Sequence, residues 1–371
     1  MKFVHLADVH FDMPFTSSRY SKKIINQRRI DARDVFYNSI NFSKEIGADV
    51  IFISGDLFEQ RFVSEDTIKF IISCFKRIPE IPIYIAPGNH DPLLPTSPYN
   101  TYEWPENVTI FTSDVGMFEL GDTNIYGVGF NDYEMDCNVV SDIKVDSSKL
   151  NILVTHGTLD GAMHQYHDIK NRDLKKFDYT ALGHVHLPKV DDSRMIYPGS
   201  LLAGGLDEQG EHGLVWGEIT KEECKIEFKP MDVRQFKEIE IELTEQDNEK
   251  SINEIIERAN IKDDVYRVTL TGVRISQTQD LIITLKNMDR FICDIKDKTK
   301  LLYDLEEIAQ QKTLKGVFTK KMLNTLNETP EQSEEINEAI ELVYKFLWLW
   351  GERCALRIYK LMVLGIWKIK K

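Results

Sequence analysis

The sequence predicts a layered α/β fold with two sheets or one mixed sheet, because short apolar segments alternate with longer amphipathic ones over residues 1–220. Each short segment is rich in Val, Ile and Phe and ends in a cluster of Gly, Asp, His or Asn, which is typical of a strand that enters a loop. The chain has 371 residues, of which 42% are hydrophobic and 29% charged. This length and composition allow a large core and at least one smaller module.

The strands of this fold are predicted where the apolar segments lie. In chain order these are residues 3–6, 50–53, 83–85, 125–128, 152–154, 181–182 and 195–197. Residues 31–46 and 64–78 have apolar side chains at helical spacing, so we expect helices between the strands. Because the carboxyl ends of adjacent strands meet at one edge of a sheet, functional side chains are expected there.

The pattern changes after residue 229. Apolar segments at 236–243, 266–270 and 281–285 alternate with a charged helical stretch at 249–260, and a helical pattern follows residue 301. We therefore predict a layered α/β domain over 1–229, a small αβ module over 230–305 and a C-terminal helical segment over 306–371. The apolar and basic end of that segment fits three interpretations: a partner-binding helix, a tail altered by a change of reading frame, or a membrane contact.

Composition and cysteine spacing exclude several classes of protein. The five Cys residues are odd in number, widely spaced and without a CxxC motif, which argues against a disulfide framework and against a Cys-based zinc site. The N-terminal residues MKFVHLADVH carry Asp and His where a signal peptide would be apolar, and no run of about 18 uncharged apolar residues occurs. These features predict a cytoplasmic protein without stable membrane insertion.

Polar clusters follow the predicted strands and together supply the ligands of a two-metal site. The candidates, in chain order, are Asp8, His10, Asp56, Asn89, His90, His156, His184 and His186. Any one Asp or His is more often a solvated loop residue or a buried structural one, but five such clusters in order favour metal binding. Asp8 and His10 are two apart, so on an extended chain both would face one ion, and the same holds for His184 and His186.

The chemistry of this set favours two divalent ions. Imidazole, carboxylate and amide ligands without thiolate suit Mn, Fe or Zn. Two ions about 3.5–4 Å apart can share a carboxylate, and Asp56 is the natural bridge because it lies between the first and last ligand groups.

Five strings of residues, HLADVHFD, GDLFE, APGNHDP, ALGHVH and YPGSL, carry a resemblance to a known family. They resemble the calcineurin-like metallophosphoesterases, and in particular the SbcD/YhaO-type DNA repair exonuclease branch. The resemblance covers residues 1–220 and extends loosely over 230–305, where it implies a capping domain. By position, the helices after residue 301 resemble the segment through which family members hold an SbcC-like coiled-coil ATPase.

The resemblance also implies residue roles. One metal would be held by Asp8, His10, Asp56 and His186, and the other by Asp56, Asn89, His156 and His184. His90 would be the catalytic histidine, with Asp91 either orienting it or serving as a turn residue before Pro92. Repair nucleases of this branch often have a His at the position of Glu59, so this residue departs from the pattern.

The implied function is a Mn-dependent DNA exonuclease or endonuclease in DNA repair. A net charge of −14 opposes binding to nucleic acid, but the segment 19–33 is locally basic. We expect Arg28, Arg29 and Arg33 to contact the DNA backbone, with a solvated helix start as the alternative. Two other functions stay open: a phosphodiesterase or phosphatase acting on small molecules or cyclic nucleotides, and a non-catalytic adaptor. A homodimer also stays open.

Overall fold

The computed structural model describes residues 1–14, 20–136, 138–160, 166–191, 194–247, 250–274, 278–288, 290–301, 305–333, 335–336 and 338–344. The strands within this part are β1 Lys2–Leu6, β2 Val50–Ile53, β3 Ile83–Ile85, β4 Val108–Ile110, β5 Gly116–Leu120, β6 Thr123–Val128, β7 Leu150–His156, β8 Thr158–Leu159, β9 Asp168–Ile169, β10 Tyr179–Gly183, β11 Met195–Ile196, β12 Gly213–Ile219, β13 Cys224–Pro230, β14 Phe236–Leu243, β15 Val265–Arg274, β16 Phe291–Asp297 and β17 Lys300–Leu301. The α-helices are α1 Lys22–Glu45, α2 Glu65–Phe75, α3 Pro98–Thr101, α4 Asn171–Leu174, α5 Ile252–Arg258, α6 Thr278–Asn287, α7 Leu305–Gln310 and α8 Leu314–Glu328. Short 3-10 turns cover Val139–Asp142 and Pro330–Gln332.

Two sheets pack face to face in the first part of the chain. One has the order β13-β12-β1-β2-β3-β4, with β1 to β4 parallel, and the other has the order β11-β10-β7-β6-β5, with only β5 antiparallel to its neighbour. Their apolar faces meet in a shared core, where the ring centroids of Phe3 and Tyr179 are 4.6 Å apart. This sandwich brings the carboxyl ends of strands from both sheets to one edge.

Helices α1 and α2 cover the outer face of the first sheet. Successive side chains of a strand point to opposite faces, so Phe3 of β1 enters the core between the sheets while Val4 and Leu6 pack toward the helices. Each helix begins at a serine cap: the hydroxyl of Ser21 accepts from the amide of Ile24, and the hydroxyl of Ser64 accepts from the amide of Thr67.

The predicted mixed α/β fold is confirmed. Every strand predicted before residue 200 is present within two residues of its predicted ends, and both predicted helices are present, with α1 starting nine residues early. The prediction missed β4, β12 and β13 of the first sheet, and also β5, β8 and β9. In β13 exposed polar residues alternate with half-buried ones, so no continuous apolar segment marks it.

The chain divides into two compact units. The first comprises Met1–Ile239, Ile261–Val268 and Asp289–Asp294, and the second Glu240–Asn260, Thr269–Met288 and Ile295–Lys371. A third sheet has the order β14-β15-β16, with β17 beside β15, and the apolar run at 281–285 belongs to the helix α6. In the second unit, a cluster around Phe318, Ile340 and Tyr344 packs with residues of α7 and α8. The three-domain boundaries stay a prediction, and the apolar C-terminal tail lies outside the described residues.

Candidate metal centre

The candidate residues lie at the carboxyl ends of β1, β2, β3, β7 and β10, as predicted, but the backbone there is not extended. Strand β1 ends at Leu6, and Asp8 and His10 have φ angles of 51° and 49°. Asp56 and His184 also have positive φ angles, 52° and 100°. The extended backbone assumed for the two pairs is therefore wrong. The side chains of Asp8 and His10 nevertheless lie together, whereas His184 lies beside Asn89 and His186 beside His10.

Such left-handed backbone in non-glycine residues costs about 1–3 kcal/mol each and persists only where surrounding contacts hold it. Those contacts are present. The amide of Asp8 donates to the carbonyl of Gly55 at 3.1 Å, and the amide of His10 donates to the carbonyl of Asp56 at 2.9 Å. The loops after β1 and β2 therefore hold one another in the strained conformation that aims the side chains inward.

Asp8, His10 and His186 form one group, which we call the acidic half-site. Their candidate ligand atoms lie within 4.8 Å of one another. The Nδ1 atom of His10 donates to Glu59 Oε1 at 2.9 Å, and the Nδ1 atom of His186 donates to Glu208 Oε1 at 2.6 Å. With both Nδ1 protons engaged, the two Nε2 atoms face each other at 3.1 Å. Burial alone would lower the pKa of His186, but Glu208 and Asp8 raise it to about 9, so its Nε2 atom donates to His10 Nε2. A divalent ion that displaces this proton would be within reach of both nitrogens.

Asn89, His156 and His184 form a second group, which we call the neutral half-site. The Nδ1 atom of His156 donates to the carbonyl of Ser54 at 2.8 Å, so its Nε2 atom is the one that an ion could bind once it has lost its proton. That atom lies 3.0 Å from Asn89 Oδ1, which is also 3.2 Å from His184 Nδ1. An amide oxygen and two imidazole nitrogens that converge in this way fit a second cation.

Asp56 lies between the two half-sites. Its Oδ2 atom is 3.6 Å from His10 Nε2 and 3.3 Å from His156 Nε2, while its Oδ1 atom accepts from the amide of His90 at 2.8 Å. A Cβ atom at Gly88 would lie 2.3 Å from Asp56 Oδ1, so only glycine fits beside this carboxylate. Asp56 is thus within reach of ligand atoms on both sides.

The buried carboxylates of the site shift the pKa values of their neighbours. Burial raises the pKa of Asp8, and the repulsion from Asp56 adds to this although nearby histidines oppose it. Burial alone would lower the pKa of His156, but the carboxylates of Asp56 and Asp8 outweigh it and raise that pKa to about 9. Burial and the charge of His156 lower the pKa of His184 to about 4. Buried carboxylates that draw protons onto nearby histidines would draw divalent cations as well.

His90 lies at the rim of the site, with 44% of its side chain exposed. Its Nδ1 atom donates to Glu59 Oε2 at 2.9 Å, and this hydrogen bond raises the pKa of His90 above the usual histidine value. One of its ring nitrogens also lies within 4.8 Å of ligand atoms of His10 and Asp56. His90 is therefore positioned to contact a substrate beside the ions.

Asp91 has a structural role, and the predicted alternative in which it orients His90 is wrong. Its carboxylate accepts from the amides of Asp56, Leu57 and Gly88 and from the hydroxyl of Tyr99. Asp91 therefore fastens the loop that carries Asp56, and the carboxylate that contacts the His90 ring belongs to Glu59.

Sequence reasoning missed the roles of Glu59 and Glu208 behind the histidines. Glu59 stands three residues after Asp56 in the string GDLFE, and this spacing is a usable signal. Glu208 lies 22 residues after His186 in a loop, and nothing in the sequence marks it.

The basic segment of α1 is only partly accessible. Arg28 is 2% exposed, its guanidinium donates to the carbonyls of Ala203 and Arg234, and it lies over the ring of Phe236. The predicted DNA contact of Arg28 is therefore wrong in this structure, because its guanidinium is inside the protein.

The other two predicted arginines differ from Arg28. Arg33 is half-buried and donates to the hydroxyl of Thr67 at 3.1 Å. Arg29 is exposed and lines a small cavity together with His10 and His186. Arg19, the first cation of the segment, lies outside the described residues.

The family is decided by a comparison with known protein families. The sequence model of the calcineurin-like phosphoesterase family matches residues 1–188. This is half of the chain and contains every candidate ligand. The chain is a calcineurin-like phosphoesterase. The family binds metal ions, and the His and Asp clusters of this phosphoesterase fit that property.

Two curated proteins are distant relatives of this phosphoesterase. The uncharacterized metallophosphoesterase YhaO of Bacillus subtilis is 29% identical over 69% of this chain and 67% of its own. The DNA double-strand break repair protein Mre11 of Archaeoglobus fulgidus is 23% identical over 92% of this chain and 84% of its own. The predicted resemblance is confirmed at this level.

The structure of TT1561 from Thermus thermophilus matches 62% of this chain and 98% of its own with 12% identity and a TM-score of 0.38, too low to bear on function. Among the residues that the structure describes, no helix is long and apolar enough to cross a membrane.

Proposed function

We propose that this chain is a Mn-dependent phosphodiesterase that cuts DNA by way of a dinuclear metal site. The observation that carries the proposal is the convergence of candidate ligand atoms from both half-sites on either side of Asp56. In this proposal one ion is held by Asp8, His10, Asp56 and His186, and the other by Asp56, Asn89, His156 and His184. Fe and Zn also suit these ligands.

The bound ions supply Lewis acidity and a water of lowered pKa. The chain's own residues do the rest. Asp56 keeps the two halves of the site together because it reaches histidines on both sides. Glu59 and Glu208 hold the tautomers of His10 and His186 that leave Nε2 free for an ion. His90, whose Nδ1 atom is bound to Glu59, offers Nε2 to offset charge on the phosphate or to protonate the leaving oxygen.

DNA is the proposed substrate on two grounds. A relative that covers most of this chain, Mre11, is described as a DNA double-strand break repair protein. Arg29, an exposed cation, lines a cavity with His10 and His186, so a phosphate neighbouring the cleaved one can meet it. The rival is a phosphodiesterase for small molecules, which the net charge of −14 and the burial of Arg28 favour.

The proposed partner is an SbcC-like coiled-coil ATPase, held through the C-terminal helices. Its support is the position of α7 and α8 after the third sheet, together with Val317 on α8, an apolar side chain that is 57% exposed. Co-purification of the full chain with an ATPase of this class is expected, and it should be lost in a Val317→Asp variant.

The first experiment compares two substrates. The purified protein is incubated with Mn²⁺ and either end-labelled linear DNA or bis-nitrophenyl phosphate. Hydrolysis of both substrates is expected. Hydrolysis of the small diester alone would favour the rival function, and hydrolysis of neither with Mn, Fe or Zn would reject the dinuclear enzyme in favour of an adaptor.

The second experiment tests Arg29 against a matched arginine. If Arg29 neutralises a DNA phosphate, Arg29→Ala should weaken DNA cleavage and lower the log–log salt slope by about one, while leaving hydrolysis of the small diester intact. Arg172→Ala is the control because Arg172 is an equally charged side chain that is 83% exposed. A salt slope that falls equally in both variants, or in neither, would remove DNA-phosphate binding from Arg29.

A further inference from the structure

The carboxylate of Glu59 lies between two histidines that belong to different parts of the site. Its Oε1 atom is 2.9 Å from His10 Nδ1, and its Oε2 atom is 2.9 Å from His90 Nδ1. A carboxylate can only accept, so both ring nitrogens carry the protons of these bonds. Glu59 is 8% exposed, and burial is outweighed by its two histidine contacts, which lower its pKa to about 2.

The backbone around Glu59 fixes the carboxylate in this place. The amide of Glu59 donates to the carbonyl of Phe11 at 3.0 Å, next to His10 in the chain. The amide of Gln60 donates to the carbonyl of His90 at 2.9 Å. The peptide that bears Glu59 is thus hydrogen-bonded to both loops whose histidines its side chain contacts.

Glu208 provides an internal comparison. Its Oε1 atom accepts from His186 Nδ1, but its Oε2 atom accepts from the amide of Gly204 at 2.7 Å and from the hydroxyl of Ser200 at 3.3 Å. Glu208 therefore accepts hydrogen bonds from one histidine and from groups of a loop. Glu59 differs because each of its two carboxylate oxygens accepts a hydrogen bond from a different histidine.

We propose that Glu59 is a shared positioning residue that orients a metal ligand and the substrate-facing histidine through one carboxylate. This inference rests on the proposed function, in which His10 binds an ion and His90 contacts the phosphate. By fixing Nδ1–H on both rings, Glu59 turns Nε2 of His10 toward the ion and leaves Nε2 of His90 free for the substrate. The same side chain then affects metal binding through His10 and orients His90 toward the substrate.

A double-mutant cycle separates this role from simple structural support. Glu59→Leu removes both acceptor oxygens, so turnover of bis-nitrophenyl phosphate at saturating Mn²⁺ should fall about 10–100-fold. His90→Ala alone should lower turnover roughly 10²–10⁴-fold. In the His90→Ala background, Glu59→Leu should cause less than about a threefold further fall, because the histidine through which it acts is gone.

The matched control is Glu208→Leu, whose carboxylate does not reach His90. Its effect on turnover should be of the same size with and without His90. Glu59→Gln retains one acceptor oxygen, so relative to Glu59→Leu it should restore either Mn²⁺ affinity or turnover, and not both. Equal effects of Glu59→Leu in the two backgrounds would overturn the inference.

A spectroscopic readout tests the inference without any turnover. In the metal-free protein labelled with ¹⁵N-histidine, slowly exchanging Nδ1–H protons are expected for both His10 and His90, the latter assigned by its absence in His90→Ala. Both should be lost in Glu59→Leu and retained in Glu208→Leu. Persistence of the His90 signal in Glu59→Leu would contradict the inference. If the wild-type protein hydrolyses neither substrate, the proposed function fails, while this spectrum still decides the role of Glu59.

Discussion

The two half-sites of the metal centre are built from the same fold edge but differ in the groups that support them. In the acidic half-site, carboxylates lie behind both histidines, Glu59 behind His10 and Glu208 behind His186. In the neutral half-site, His156 is held by the carbonyl of Ser54, and Asn89 contributes an amide oxygen where a carboxylate could stand. Asp56 is the anion within reach of both.

This difference has a consequence for metal binding. Carboxylates behind the ligands increase the basicity of the histidines and the attraction for a cation. The neutral half-site has no carboxylate of its own and depends mainly on Asp56, since Asp8 is farther from His156, with Oδ1 4.0 Å from Nδ1. Its ion should therefore be bound more weakly and be the first to leave with a chelator.

The largest effect is expected from Asp56→Asn. Removing the shared charge leaves the neutral half-site without an anionic ligand and weakens the acidic one, so turnover should fall on the order of 10⁴-fold, several kcal/mol of transition-state stabilisation. Metal analysis of the purified variant should find fewer than two ions, whereas the exposed control Glu106→Gln keeps both. Two ions retained at wild-type affinity would mean that Asp56 does not bridge.

Lowering the pH is expected to have a smaller effect, which is a loss of folding stability. It arises at His5, beside the Ser54 residue that holds the neutral half-site. His5 is buried, its Nε2 atom is 3.0 Å from the hydroxyl of Ser54, and burial lowers its pKa to about 3. The unfolded chain binds this proton near pH 6.5 and the folded chain does not, so stability is lost as the pH falls below about 6.5. The loss should reach about 2 kcal/mol at pH 5.

Urea unfolding at pH 7 and pH 5 measures this contribution. In His5→Gln, which cannot titrate, the difference in unfolding free energy between the two pH values should be about 2 kcal/mol smaller than in the wild type. An equal difference in both proteins would show that His5 does not stay neutral in the fold.

The smallest effect is expected from a change to Asn89 in the neutral half-site. Asn89→Asp adds a negative charge to the neutral half-site, so the weaker ion should bind about tenfold more tightly while the stronger one changes little. Calorimetric titration of the metal-free protein with Mn²⁺ resolves the two affinities. Tighter binding of both ions to the same extent would show that the two half-sites do not differ as described.

The sequence predicted candidate site residues well where an Asp or His directly follows an apolar segment. Asp8, Asp56 and His156 stand at the ends of apolar segments, and the order of these strands in the chain was enough to predict that they meet. The extended-chain argument for Asp8 and His10 failed because left-handed backbone is stabilised by contacts with the loop of Asp56, and such long-range contacts leave no local pattern.

Arg28 and Glu208 show a second limit of the sequence. Arg28 belongs to a run of cations that predicts an exposed surface, yet the carbonyls of Ala203 and Arg234 draw its guanidinium inside. Glu208 joins the site from a distant loop. In both cases the partners are far away in the chain, so charge patterning alone cannot find them.

The dinuclear centre is tested most directly by anomalous diffraction from crystals of the protein grown with Mn²⁺. Two anomalous peaks about 3.5–4 Å apart are expected. One should lie among Asp8, His10 and His186, the other among Asn89, His156 and His184, with Asp56 contacting both. A single peak, or two peaks that do not share Asp56, would contradict the account.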